Sequence, residues 1–227
     1  MAAQSLLAVL LGACSAGVQT ARTSNTELAT RADSRRVVTP DAAAIARARA
    51  DSARHPYTAA DIEFMTGMVS HHAQAIAMAR MAPTHDASPT VRTLADRIIN
   101  AQQDEIVTMQ QWLADRRLPV PEARPTGMRM MMNGVEHDML MPGMLSEAQM
   151  KQLDQARGAD FDRLFLTFMI QHHSGAVRMV QSLFSSYGAG QDETVFKFAS
   201  DVNVDQTTEI ARMQKMLDAT SPQRNQP

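Results

Sequence analysis

The sequence predicts an all-α fold, a four-helix bundle built from two duplicated helical hairpins. A segment at 61–80 recurs in register and without a gap at 162–179, and we call these two segments the first and second copies. A second amphipathic segment, at 95–113, recurs at 199–217. No segment alternates apolar and polar residues in the way that is typical of strands. Two hairpins with complementary apolar stripes bury those stripes by packing together, which gives a bundle.

The first residues, 1–14, predict a lipoprotein signal peptide. They form an apolar run that is too short to span a bilayer and that ends in small residues. Leu-Gly-Ala-Cys at 11–14 has the form of a bacterial lipoprotein cleavage box, so Cys14, the only cysteine, is the expected lipidation site. Because no Lys or Arg precedes the apolar run, an apolar N-terminus with an incidental cysteine is the alternative. The predicted location is the periplasm or cell envelope.

Residues 15–55 are predicted to form a flexible tether. They are rich in Ala, Ser, Thr and Arg and nearly lack large apolar residues, so they cannot build a core. They would hold the predicted domain, 56–222, away from the membrane. A formal net charge of −2 gives no basis for binding nucleic acid or an acidic membrane surface. Membrane contact is therefore expected only through the lipid anchor.

The first predicted hairpin contains the first copy. Thr58 and Asp61 have the spacing of a capping box, which places a helix start at about residue 59. The apolar residues and both histidines of this copy fall on one side of a helical wheel. Pro83 ends the helix at about residue 82. A second helix, from about 89 to 116, shows apolar residues at three- and four-residue steps.

The second predicted hairpin follows a methionine-rich insert at 126–150. Pro, Gly and Asn interrupt any long helix within the insert. A capping-box spacing at Ser146 opens a short helix that ends near residue 157. The third major helix, at about 159–186, contains the second copy, and the last helix runs from about 191 to 219.

Each copy places two adjacent histidines among methionines at helical spacing. A single such pair is more typical of a surface or a core edge. Packing alone would accept Leu, Ile or Phe in place of Met and has no need for imidazole in both copies, so the duplication favours metal binding. The candidate ligands on these two helices are Met68, His71, His72, Met78, Met169, His172, His173 and Met179.

The predicted metal is copper. The chain has 18 methionines and one cysteine, and a methionine-padded core is the alternative explanation of that composition. Zinc is usually bound by Cys, His or carboxylate, and calcium and magnesium by oxygen, whereas thioether ligands select Cu(I). Ag(I) would be a close mimic. Methionine also persists in an oxidising compartment, where paired thiols form disulfides.

Residues outside the two copies can complete the site. Candidate ligands on the other two helices are Met109, Met213, Glu105 and Glu209. Alternatively, Glu105 and Glu209, together with Gln102 and Gln206, orient the imidazoles by hydrogen bonding.

Three other histidines and two aspartates have weaker signals. His137, at the centre of the insert, belongs either to a metal-capturing arm or to an apolar lid. His55 and His85 are isolated and are expected to be solvated. Asp61 and Asp162 are expected to complement the dipoles at helix N-termini.

Catalysis has no support in the sequence. A di-iron carboxylate enzyme also uses a four-helix bundle, but it needs Glu-x-x-His, which is absent from the sequence. There is no reactive cysteine, no G-x-S-x-G and no evident Ser/His/Asp set. We therefore expect a protein that is not an enzyme.

Residues 56–218 resemble the DUF305 family. The resemblance rests on four motifs: Asp61-x-x-Phe-Met-x-x-Met68-x-x-His-His-Ala-Gln-Ala75-x-x-Met78, Gln102-x-x-Glu105-Ile-x-x-Met109, Met141-Pro-Gly-Met144, and Phe161-Asp-x-x-Phe-Leu-x-x-Met169-Ile-x-His-His-x-Gly-Ala176. It implies a ferritin-like four-helix bundle and, for characterised members, copper binding with a role in metal resistance. Gly175 stands where the first copy has Gln74, and Val180 where it has Ala79. These are expected to be small departures that leave the candidate ligands intact.

Together these observations predict an exported, lipid-anchored protein that sequesters or hands on Cu(I) and contributes to copper homeostasis or resistance. Its partners would be the metal ion and other periplasmic copper-handling proteins. The alternative is a structural or partner-binding bundle with an adaptable methionine-rich surface and no tight metal site. Whether the two copies form one site or two stays open at this point.

Overall fold

The computed structural model describes residues 57–220 and, before them, Ala43 alone. Residues 57–220 fall within one compact unit. The predicted signal peptide with Cys14, nearly all of the predicted tether, and His55 lie outside the described residues.

The described chain is mostly helical, as predicted. The helix that follows Thr58 ends at residue 79, and a short 3-10 turn containing Pro83 follows it. In chain order the elements are α1 (Ala59–Ala79), the 3-10 turn (Ala82–Thr84), α2 (Pro89–Asp115), β1 (Met128–Met132), β2 (Val135–Met139), α3 (Glu147–Gln155), α4 (Gly158–Ser185) and α5 (Glu193–Thr220).

Local capping fixes where α1 begins. The Thr58 side chain accepts a hydrogen bond from the Asp61 backbone N–H, and the Thr58 N–H donates to Asp61 Oδ2 at 2.7 Å. This reciprocal capping box satisfies two of the N–H groups that a helix start leaves without partners. The predicted start of the first helix is therefore confirmed.

Two helical hairpins make up the fold. Helix α1 packs against α2, α4 packs against α5, and the hairpins join where α1 packs against α4. Most side chains of α1 are buried, because this helix is covered by α2 on one side and by α4 on another. The two copies, which lie on α1 and α4, thus meet inside the molecule. Among the described helices, none combines the length and apolar character that crossing a membrane requires.

Reciprocal hydrogen bonds tie the two hairpins together at both ends. Asp61 Oδ1, on α1, accepts from the Gly190 N–H at 2.7 Å in the turn between α4 and α5. Asp162, on α4, accepts from the Ser88 N–H at 3.1 Å in the turn between α1 and α2. Both carboxylates are buried. They bind the turn of the opposite hairpin, a role that the helix-dipole expectation does not include.

The methionine-rich insert contains a β-hairpin, so the prediction of no strands was wrong for 128–139. Strands β1 and β2 pair antiparallel, with Met132 opposite Val135 at the turn. Asn133 and Gly134 form this turn with φ of 54° and 78°. Asn-Gly is the typical sequence of a two-residue hairpin turn, because both positions need positive φ. The strand pattern is hidden by a run of methionines, whereas the turn signal is visible in the sequence.

His85 is buried, contrary to the expectation that it is solvated. It is 5% exposed, and its Nε2–H donates to the backbone oxygen of Asp154 at 2.9 Å. Its Nδ1 lies 3.0 Å from Thr84 Oγ1. The ring also packs against Phe161, with the two centroids 5.0 Å apart. His85 therefore links the turn of the first hairpin to the end of α3.

Candidate metal centre

One histidine from each copy meets its counterpart at the contact between α1 and α4. The ring centroids of His71 and His172 are 3.8 Å apart, with 39° between the ring planes. Both side chains are completely buried. We call His71 and His172 the central histidine pair. This contact brings the two copies together at one point.

The hydrogen bonds of the central pair leave ring nitrogens without partners. The Nε2–H of His71 donates to the backbone oxygen of Pro142 at 3.0 Å, which makes Nδ1 the unprotonated nitrogen of that ring. Within residues 57–220, neither this Nδ1 nor either nitrogen of His172 has a hydrogen-bond partner. A buried polar atom without a partner costs about 1–3 kcal/mol. The pair is therefore costly to bury unless it binds something.

Burial keeps both rings of the central pair neutral. Desolvation, with a further contribution from nearby His72, lowers the pKa of His71 from 6.5 to about 3. Desolvation and the adjacent His71 also lower the pKa of His172 well below 6.5. A neutral imidazole offers a lone pair, which is the form that binds a metal ion.

The second histidine of each copy faces its own hairpin partner. The Nε2–H of His72 donates to Glu105 Oε2 at 2.6 Å, and the Nε2–H of His173 donates to Glu209 Oε2, also at 2.6 Å. We call His72 and His173 the outer histidines. In both, Nδ1 is buried and has no partner within the described part of the chain. A carboxylate that accepts from one ring nitrogen fixes the tautomer and the orientation of the ring.

The two glutamines lie beside these glutamates but bind neither ring. Gln102 and Gln206 are buried, and the Oε1 atom of each has no partner among the described residues. With Glu105 and Glu209 they line a cleft of about 470 Å³ between α2 and α5. All four side chains therefore line the cleft, and only the glutamates bond to the imidazoles.

Methionines of both copies fall into two clusters of the buried core. In one buried cluster, Met68 of the first copy is joined by Met179 of the second. In the other, Met78 of the first copy is joined by Met169 of the second. Each cluster thus receives one candidate ligand from each copy, as expected when two related helices cross. The remaining candidates follow the same division, with Met109 in the first cluster and Met213 in the second.

The segment Met141-Pro-Gly-Met144, which we call the inner segment, adds two methionines that the sequence-based ligand set omits. Met141 and Met144 are 8% and 5% exposed and belong to the same cluster as Met68 and Met179. A Cβ atom built on Gly67 would lie 2.8 Å from Met141 Sδ and 3.5 Å from Met179 Cε. Both thioether side chains therefore reach the backbone of α1 next to Met68.

Bonds from the inner segment explain why these methionines point inward. Its Pro142 oxygen accepts from His71, and the Met141 N–H lies 3.3 Å from Met144 Sδ, to which it donates. The visible signal was the Met-x-x-Met spacing around a Pro-Gly turn. A pocket of about 170 Å³, lined in part by Met141 and Met179 and by Glu63 and Arg178, leads to this cluster from the surface.

The family model for the domain of unknown function DUF305 matches residues 61–217. The chain belongs to the DUF305 family. The resemblance noted in the sequence is thereby confirmed, and the matched range includes the central histidine pair, the outer histidines and the inner segment.

Solved structures of DUF305 proteins resemble this chain. A candidate secreted DUF305 protein from Streptomyces coelicolor has 29% identity and a TM-score of 0.58, covering 71% of this chain and 93% of that one. CopM in its Cu(II)-bound form has 30% identity and a TM-score of 0.56, covering 71% and 97%. CopM in its Cu(I)-bound form has 27% identity and a TM-score of 0.54, covering 71% and 98%.

A curated relative matches over a shorter range. Uncharacterized protein L153 of Acanthamoeba polyphaga mimivirus is 36% identical over 58 residues, which are 26% of this chain. The match spans only 38% of the length of that viral protein.

In the DUF305 chain, the candidate ligands of the two copies are all buried, and one predicted ligand lies elsewhere. Within residues 57–220, no group of three or more His, Cys, Asp or Glu side chains is arranged to hold a metal ion. Met68 and Met169 each precede a histidine of the central pair by three residues on the same helix. His137 lies exposed on β2 and is not brought to the central pair.

Proposed function

We propose that this chain is an exported protein that binds Cu(I) at the contact between α1 and α4. It would sequester or hand on the ion, without catalysing a reaction, and so contribute to copper homeostasis or resistance. Ag(I), which has similar ligand preferences, would occupy the same site.

The observation on which this proposal rests is the central histidine pair. Two neutral imidazoles, whose ring centroids are 3.8 Å apart, are fully buried. Within the described chain, some of their ring nitrogens have no hydrogen-bond partner. Packing does not require this arrangement, since apolar side chains of similar volume would avoid the cost of unpaired polar atoms. A bound cation would give those nitrogens a partner.

The donors around the pair favour a soft monovalent cation. Met68, Met141, Met144 and Met179 belong to one buried cluster. Met68 lies three residues before His71 on α1, and Met141 directly precedes Pro142, whose oxygen accepts from His71. Neither thioether nor neutral imidazole carries charge, so the site suits a cation of low charge better than one that needs carboxylates. The outer histidines, with Glu105 and Glu209, would orient the helices around it or supply further nitrogen ligands.

Related structures support copper as the cargo. CopM has been solved with Cu(I), with Cu(II) and with Ag, at 27%, 30% and 29% identity to this chain. The repeated His-His motif, the inner segment and the family match are the features by which we extend copper binding to this chain.

The proposal includes a finer fold and a location. The fold would be a ferritin-like four-helix bundle. Helices α1 and α4 pack together, each packs against its own hairpin partner, and the two partners, α2 and α5, face each other across one cleft. Export is supported by the apolar segment at 1–14, and Cys14 would carry the lipid anchor. The tether at 15–55 would separate the bundle from the membrane.

A competition titration against a chromophoric Cu(I) chelator tests the proposal. In the double variant His71→Gln/His172→Gln, one equivalent of Cu(I), the buried one, should bind at least about 100-fold more weakly than in the wild type, a loss of about 2.7 kcal/mol. The variant His85→Gln is the matched control, because His85 is also buried but lies outside the centre. Equal Cu(I) affinity in the wild type and the double variant would refute the site.

A second candidate function is a partner-binding bundle. The exposed side chains Met131, Met132 and Leu140 favour it, since exposed apolar groups are typical of adaptable binding surfaces. This alternative predicts no tight Cu(I) binding by the wild type. The same titration therefore separates the two functions.

A further inference from the structure

The β-hairpin at 128–139 gathers soft donors on one of its two faces. Its register places Met128 opposite Met139 and Met130 opposite His137. Directly opposed residues of an antiparallel pair project from the same face, and so do residues two apart along a strand. Met132, opposite Val135, projects from this face too, so four thioethers and one imidazole share a face, which we call the donor face.

The spacing on the donor face is short enough for shared coordination. Opposed residues have Cβ atoms about 5 Å apart, and diagonal neighbours are about 7–8 Å apart. Methionine has three flexible torsions beyond its backbone, so its sulfur can adjust by several ångströms. The sulfur of Met130 and the imidazole of His137, which face each other directly, can approach one ion, and Met128 and Met139 lie one step away.

The opposite face of the same hairpin has different chemistry. Arg129 is paired with Glu136, with 3.3 Å between Nη1 and Oε2. Asp138 is paired with Arg124, 3.3 Å away, at the base of the hairpin. Met131 is opposite Glu136 on this ionic face. The charged groups of the hairpin thus lie on this face, and of its methionines only Met131 lies there.

Core packing does not explain the methionines of the donor face. Met139 is 39% exposed, His137 is also exposed, and Met130 is half-buried. Only Met128 packs against the core cluster. Exposing thioether side chains to water is unfavourable in free energy. Their position on one face beside an imidazole therefore indicates that they bind a ligand from solvent.

We propose that the donor face is a second binding site for a soft monovalent cation, Cu(I) or Ag(I), with Met130 and His137 as its central ligands. Met128 and Met139 complete the coordination. This site lies at the surface and uses none of the residues of the buried centre. Its existence does not rest on the proposed function, whereas passage of the ion from it to the centre does.

Isothermal titration of the metal-free protein with Ag(I) tests this site. All proteins carry Cys14→Ser, because a free thiol would itself bind Ag(I). The test variant is Met130→Leu/His137→Gln, which keeps the size of both side chains and removes the donors. The matched control is Met131→Leu/Glu136→Gln, the neighbouring cross-strand pair on the ionic face.

The expected result is that the test variant loses one equivalent of Ag(I), or binds that equivalent at least about tenfold more weakly. The control should keep it. Retention of full binding by the test variant would overturn the proposal, and so would an equal loss in both variants, which would indicate an effect of hairpin disruption.

A third protein separates this proposal from the proposed function. His71→Gln/His172→Gln should lose the buried equivalent and keep the equivalent at the donor face. If it loses nothing while the hairpin variant does, the buried centre is refuted and the surface site stands. If it loses all binding, the donor face has no independent site and this proposal fails.

Discussion

The two copies of the His-His helix share their histidines and methionines but differ in how they treat the insert. At the position after the His-His-x triplet, the first copy has Gln74 and the second has Gly175. The Gln74 amide hydrogen-bonds to the backbone of the chain around the insert, whereas Gly175, which has no side chain, lets the backbone of the insert approach α4. This one differing position, which is not a candidate ligand, therefore breaks the symmetry of the duplicated site.

Gln74 binds both ends of the insert. Its Nε2 donates to the backbone oxygens of Pro125 at 3.0 Å and Leu145 at 3.1 Å, and its Oε1 accepts from the Leu145 N–H at 2.6 Å. Gly175 provides space on the other helix, since a Cβ atom there would lie 1.8 Å from the Pro142 oxygen. Together they seat the inner segment against both copies.

The consequence is an asymmetric centre. The Pro142 oxygen accepts from His71, while His172 has no partner within the described chain. Met141 and Met144 enrich one methionine cluster and leave the other with methionines of the helices only. Duplication alone would give two equivalent halves, and the insert makes them chemically different.

Gly175→Ala should have the largest effect on this asymmetry. The new methyl group would overlap the Pro142 backbone, so the inner segment must move, and we expect a loss of about 3 kcal/mol or more in the free energy of unfolding. Urea denaturation measures it. Gly67→Ala is the control, because its methyl group would meet the flexible end of Met141. An equal, small loss in both variants would show that the close approach at Gly175 is not important.

Gln74→Ala should have the next largest effect. It leaves the N–H and the oxygen of Leu145 without their partner, and we expect a loss of about 1–3 kcal/mol in the free energy of unfolding, measured in the same way. Cu(I) affinity should fall as well, because the inner segment loses one anchor. The control is Gln171→Ala, which removes the half-buried side chain that reaches Gly143 and Gln149. A smaller loss for Gln74→Ala than for this control would contradict the comparison.

Acid should destabilise the metal-free protein through the central pair. Both pKa values lie below the 6.5 of an unperturbed histidine, so below pH 6.5 the unfolded chain binds protons that the folded chain does not. The free energy of unfolding is therefore unaffected by these rings above pH 6.5. Below pH 6.5 it decreases as the pH falls, by up to about 1.4 kcal/mol per pH unit for each ring, and for His71 this continues down to about pH 3. Unfolding of His71→Gln/His172→Gln should depend less steeply on pH. The same slope as in the wild type would contradict the burial of neutral rings.

The outer histidines, unlike the central pair, have equivalent partners in the two copies. Removing the charge of those partners should have the smallest effect on the free energy of unfolding. Glu105→Gln and Glu209→Gln should each reduce the free energy of unfolding by about 1 kcal/mol, because a hydrogen bond to a carboxylate becomes one to a neutral amide. The two losses, measured by thermal unfolding, should agree within about 0.5 kcal/mol, because the two hydrogen bonds join the same groups at the same length. Clearly unequal losses would mean that the asymmetry of the insert extends to the outer histidines.

Local and periodic signals predicted most of the fold. The capping box at Thr58 and the helical spacing of the apolar residues predicted the helices, because each depends on neighbours within a few residues. The gapless repeat predicted their division into two hairpins. The resemblance to DUF305 rested on the same motifs. The β-hairpin was missed because its methionines do not alternate with polar residues, although Asn133-Gly134 marks its turn.

The centre was less predictable, since it depends on contacts between distant residues. Helical spacing places His71 and His172 on apolar faces, but their contact depends on how α1 crosses α4. The inward turn of Met141 depends on the space above Gly175, about 30 residues away. His85 lacks any periodic neighbour, so its burial against α3 had no signal in the sequence.

The carboxylates of Asp61 and Asp162 limit how a cation could enter. Each is buried and holds the turn of the opposite hairpin, so separating the hairpins at either end breaks a hydrogen bond from a backbone N–H to a carboxylate. Metal exchange by hinge opening is therefore disfavoured. A cation would instead reach the methionine cluster of Met68 through the small pocket where Met141 and Met179 form part of the wall, while the frame stays closed.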